Sequence, residues 1–64
     1  MRVQFEKRIY FCTVATKTSG GRLLITTSNG VYTVNCGTED NANDCHKQLL
    51  RNGWCDFSDY QYSN

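Results

Sequence analysis

The sequence predicts an α+β fold: a three- to four-stranded antiparallel sheet, a meander ordered β-β-β-α-(β), with one α-helix packed on one face. Three observations predict it. Asn29-Gly30 joins two runs whose apolar positions match only if the chain reverses there. Ser19-Gly20-Gly21 supplies a second reversal ten residues earlier. Residues 39–52 repeat apolar side chains at helical spacing, between a capping threonine and a terminating glycine.

The elements follow in order. Val3 and Phe5 alternate with Arg2, Gln4 and Glu6, the pattern of a short half-buried strand. A second run from Ile9 to about Thr18 is rich in aromatic and β-branched residues, but its period is mixed. Ile9 and Phe11 fall on one face, whereas Tyr10, Cys12 and Val14 fall on the other. A bulge or bend near Lys7-Arg8 or near Thr13 reconciles the two. A two-residue Gly20-Gly21 loop then pairs Thr16 with Ile25 and Val14 with Thr27, which puts Val14 and Cys12 on the apolar face.

Asn-Gly accepts positive φ at both central positions of a type I′ turn. With Asn29-Gly30 as that loop, Ile25 lies opposite Val34, Leu23 opposite Cys36 and Thr27 opposite Tyr32. Thr26, Thr33, Asn35 and Leu24 take the other side. A slip of one residue would scatter the apolar set over both faces.

Gly37 ends the meander. Thr38 or Asp40 caps a helix whose early Glu39, Asp40 and Asp44 complement its positive end, and Lys47 and Arg51 suit the last turns. Ala42, Cys45, His46, Leu49 and Leu50 form the stripe that faces the sheet. Gly53 is the left-handed terminator, with Trp54 folding back onto the last turn. Beyond it, Cys55, Phe57 and Asp59 alternate with Asp56, Ser58 and Tyr60, which reads as a short edge strand.

At 64 residues the chain is one small domain, residues 1–64. A chain of this size buries only ~60% of its unfolded surface, so a deep cleft is not expected and function falls to the outside. No run reaches membrane-spanning length, and Met1-Arg2 leads into no apolar export segment, so the expected location is the cytoplasm. Charge is uneven: residues 1–32 carry Arg2, Lys7, Arg8, Lys17 and Arg22 against Glu6, a net +4, and residues 33–64 are net −3. Two patches of opposite sign on one small body would steer association with a partner.

Cys12, Cys36, Cys45 and Cys55 lack the paired spacing of a zinc knuckle, and a metal site from Cys36, Cys45, His46 and Cys55 has no support in spacing. Reduced core thiols and one or two disulfides both fit the count. His46, on the inward stripe, reads as a half-buried packing residue with one satisfied nitrogen. No phosphate loop, nucleophile elbow or paired carboxylates are present, so neither catalysis nor a cofactor is expected.

The expected function is that of a small non-enzymatic binding protein that occludes or modulates a macromolecular partner. Its most concrete form is a phage or mobile-element inhibitor of a host enzyme or defence complex. The candidate contact residues are Asp56, Asp59, Tyr60 and Tyr62 on the acidic side, and Lys7, Arg8, Lys17 and Arg22 on the basic side. A nucleic-acid-binding regulator using a basic sheet edge is the second reading, and a secreted disulfide-stapled peptide the third. An exposed edge would also suit pairing with a second copy of the chain.

Overall fold

A turn without glycine, asparagine or proline folds the first N-terminal run back on the second. Glu6 and Lys7 both take positive φ, 47° and 68°, which is the mark of a primed hairpin turn. The computed structural model describes residues 1–64 and carries six strands around one helix. These are β1 (Arg2–Phe5), β2 (Arg8–Thr18), β3 (Arg22–Thr27), β4 (Gly30–Asn35), α1 (Glu39–Asn52), β5 (Trp54–Asp56) and β6 (Gln61–Ser63). The class is α+β with one helix, as expected, but the sheet is larger and mixed. Its order is β5-β1-β2-β3-β4-β6.

Two features enlarge the sheet beyond the meander. The Glu6-Lys7 turn makes β1 an antiparallel partner of β2, with Val3 opposite Tyr10 and Phe5 opposite Arg8. The tail then supplies two strands where one was expected. β5 pairs parallel with β1, Val3 opposite Cys55, and β6 pairs antiparallel with β4, Val34 opposite Tyr62. The helix makes this possible by carrying the chain from the β4 edge back to the β1 edge.

The predicted faces of β3 and β4 hold, while two registers shift and Val14 of β2 changes face. Ile25 lies opposite Tyr32 rather than Val34, and Leu23 opposite Val34 rather than Cys36. The reversal is centred on Ser28-Asn29, where only Gly30 has positive φ, at 122°. Thr27 fixes this turn: its Oγ1 donates to Gly30 O at 2.9 Å and accepts from Asn29 N at 3.1 Å. A shift of two keeps the same side chains inward. In β2 a bulge between Cys12 and Val14 places Ala15, not Thr16, opposite Ile25. Cys12 therefore stays in the core and Val14 turns out to solvent.

The helix matches its predicted span. Thr38 Oγ1 accepts from Asn41 N at 3.1 Å, and Gly53 ends the helix at φ 77° with its N–H donating to Leu49 O. Ala42, Cys45 and Leu49 are buried against the sheet; Leu50, expected on that stripe, is exposed. Trp54 does not fold back onto the helix but continues into β5. His46 is half-buried, and its Nε2 donates to Ala15 O at 3.0 Å, so that nitrogen carries the proton.

The sheet curls strongly. In a flat sheet β1 and β6 would lie ~19 Å apart, four strand spacings. Instead the Tyr62 ring of β6 sits 4.6 Å from that of Phe5 in β1. Phe5 also stacks on Tyr32 at 4.7 Å and on Phe57 at 5.7 Å. The concave side thus holds an aromatic sector centred on Phe5 and a sector under the helix built from Leu23, Ile25, Val34 and Leu49. The convex side has no helix over it.

Candidate binding face

Strand alternation assigns each outward side chain. Arg2 and Gln4 of β1, Ile9, Phe11 and Val14 of β2, Leu24 and Thr26 of β3, Val31 of β4 and Trp54 of β5 all project from the convex side. Six of the seven exposed large apolar side chains lie there: Ile9, Phe11, Val14, Leu24, Val31 and Trp54. The seventh, Leu50, is on the helix. Single exposed apolar residues are ordinary, whereas six sharing one sheet face are a concentration that calls for an explanation.

At the β5 edge of this face a row crosses three strands. Trp54 stands directly opposite Arg2, and Arg2 directly opposite Phe11. One pair further along, Asp56 faces Gln4, which faces Ile9. Trp54 and Ile9 wall a shallow open depression with Arg2 and Gln4 between them. The Ser58 hydroxyl beside Asp56, and the Ser58 N–H that donates to its Oδ1 at 2.9 Å, hold the Asp56 carboxyl below its ordinary range.

The residues expected to make contacts are distributed differently. Asp56 and Asp59 are exposed, but Tyr60 and Tyr62 are half-buried and turned to the aromatic sector. Tyr60 Oη shares a 3.3 Å hydrogen bond with Cys45 Sγ. The basic residues do not gather. Lys7 and Arg8 sit at the β1–β2 hairpin, while Lys17 lies near the opposite end of β2, its Nζ donating to Asn43 Oδ1 on the helix at 2.9 Å. Arg22, beside Thr18 in the ladder, is at that same far end.

All four cysteines are buried thiols. Cys45 faces Cys36 and Cys55. Burial, then the neighbouring Cys45, pushes the Cys36 thiol up to about 12 and the Cys55 thiol up to about 11. The hydrogen bond with Cys45, then burial, pushes the Tyr60 phenol up to about 12. Such thiols stay protonated and unreactive at neutral pH. His46 points to β2 and does not join them, and no group of three or more His, Cys, Asp or Glu converges on a metal position.

The sequence did not single out Ile9, Phe11 and Trp54 as sharing one exposed face. The signal was present in β2, whose apolar residues occupy both faces when only one can point to the core. No helix is long and apolar enough to cross a membrane. Comparison with protein-family models, with curated proteins and with solved structures finds no match.

Proposed function

We propose that the chain is a small binding protein that engages a protein partner through the convex face of its sheet and acts by covering part of that partner's surface. The observation that carries this reading is the gathering of Ile9, Phe11, Val14, Leu24, Val31 and Trp54 on the one face no helix covers. Half-open side chains of these types present on the order of 500 Å² of apolar area, the upper range for a monomer surface and a sizeable share of a standard interface. Aromatic residues beside an arginine, with few other charges, match the composition of an interface centre. The narrower reading as a phage or mobile-element inhibitor rests on chain size.

The nucleic-acid alternative fits less well. A phosphate track needs several cations side by side. Here Lys7 and Arg8 are separated from Lys17 and Arg22 by the length of β2, and only Arg2 lies in the row of Trp54 and Phe11. Aliphatic side chains such as Ile9, Val14 and Val31 offer bases neither stacking nor hydrogen bonds.

The test is comparative capture. Immobilised wild-type chain, Phe11→Ser, Trp54→Ser and the helix-side control Leu50→Ser are challenged with the same lysate, after matching thermal unfolding curves. The reading expects a protein retained by wild type and Leu50→Ser and lost by both face variants. Retention unaffected by Phe11→Ser and Trp54→Ser overturns it, as does capture of nucleic acid whose retention falls log-linearly with salt.

A further inference from the structure

The depression between Trp54 and Ile9 has a charge as well as a shape. Its walls are apolar and its floor is Arg2 with Gln4. Arg2 is flanked across the ladder by Trp54 on one side and Phe11 on the other. Arg2 is exposed, so its guanidinium is open to paired hydrogen bonds with a planar carboxylate. The nearest carboxylate of the chain is that of Asp56, diagonal to Arg2 across the β1–β5 ladder. It already accepts the Ser58 N–H at 2.9 Å. The second cation on this face, Arg22, lies at its far end.

Resting on the reading of this face as a protein-binding surface, we infer that the notch anchors an acidic-apolar segment of the partner, with a carboxylate on Arg2 and the adjoining apolar side chain between Trp54 and Ile9. A basic segment would meet Arg2 as a like charge beside the Trp54 indole, which gives discrimination by repulsion as well as attraction. A phosphodiester would satisfy Arg2 too, but the next phosphates along a strand would meet Ile9, Phe11 and Val14 instead of cations.

Trp54 is the single tryptophan of the chain, so its fluorescence reports the notch directly. The probes are acetyl-Leu-Asp-Leu-amide, acetyl-Leu-Asn-Leu-amide, acetyl-Leu-Lys-Leu-amide and an eight-residue oligothymidylate, each titrated into the full chain and into Arg2→Gln. The inference expects a saturable change in Trp54 emission with the Asp peptide, about tenfold tighter than with the Lys peptide, and loss of that preference in Arg2→Gln with unfolding unchanged. Equal response to the Asp, Asn and Lys peptides overturns the charge assignment while leaving the apolar face as a binding surface. Tighter binding of the oligothymidylate than of any peptide overturns both. No response to any probe overturns the notch as anchor, and the comparative capture then decides the face by itself.

Discussion

Trp54 and Arg2 face each other across the one parallel pairing of the sheet, both turned away from the core. The position is set from a distance. α1 returns the chain to the β1 edge, Gly53 O accepts the Arg2 N–H at 2.9 Å, and Cys55 locks inward opposite Val3. With Cys55 inward, alternation sends Trp54 outward. An indole 45% exposed beside an arginine is therefore a product of core packing at its neighbour.

Arg2 raises the local potential around the indole, so the ratio of iodide to caesium quenching of Trp54, divided by the same ratio for free N-acetyltryptophanamide at equal ionic strength, should lie above unity. Arg2→Glu should bring it below unity. A normalised ratio of unity in the wild-type chain would mean that Arg2 is not beside Trp54 in solution.

The Glu6-Lys7 turn is strained. Left-handed conformations cost about 1–2 kcal/mol for an ordinary L residue and much less for glycine or asparagine. Glu6→Asn with Lys7→Gly should therefore stabilise the fold by roughly 1 kcal/mol or more, read as a higher urea midpoint with an unchanged slope. A fall in the midpoint would indicate that the two residues do not hold positive φ.

Gly21 and Gly53 share almost the same φ, 75° and 77°, but not the same surroundings. A Cβ on Gly21 would lie 2.7 Å from the Thr38 carbonyl carbon, while one on Gly53 would meet nothing within 4 Å. Gly21 O also accepts the Cys36 N–H at 2.8 Å, tying the β2–β3 turn to the start of the helix segment. Gly53→Ala should cost about 1 kcal/mol from backbone conformation alone. Gly21→Ala should cost clearly more, because backbone must move. Equal losses in thermal unfolding would remove the close approach.

Cys36, Cys55 and Tyr60 make stability sensitive to alkaline pH. Each is raised in the folded state, from 9.0 to about 12, from 9.0 to about 11 and from 10.0 to about 12. The unfolded chain thus releases these protons first, and stability falls as pH rises. The urea midpoint should be flat with respect to these groups below pH 9 and decline between pH 9 and about 12. Cys36→Ala should flatten the decline. A midpoint unchanged through that window would show that these groups are not buried as described.

The sequence made the helix legible because both its ends carry chemical punctuation, Thr38 and Gly53, and its stripe repeats cleanly. The inward faces of β3 and β4 were legible from alternation, and alternation survives a register error of two. Three things were hidden. The Glu6-Lys7 reversal uses residues with no turn preference, so the first strand was legible as a strand but its hairpin pairing with the second run was not. The two three-residue strands of the tail are too short for a period, and their pairing with opposite edges depends on where the helix delivers the chain. The convex face was hidden for a related reason: placing Arg2, Phe11 and Trp54 in one row requires the β1–β2 and β1–β5 registers, neither of which is local. The acidic strip was read from tyrosines that the curl of the sheet draws inward.

On the proposed reading the convex face of the sheet, not the helix, meets the partner. Methyl cross-saturation from a captured partner to the isotope-labelled chain measures this directly. Attenuation is expected at the methyl groups of Ile9, Val14, Leu24 and Val31, with Leu50 spared. Attenuation at Leu50 with those four unaffected would contradict it.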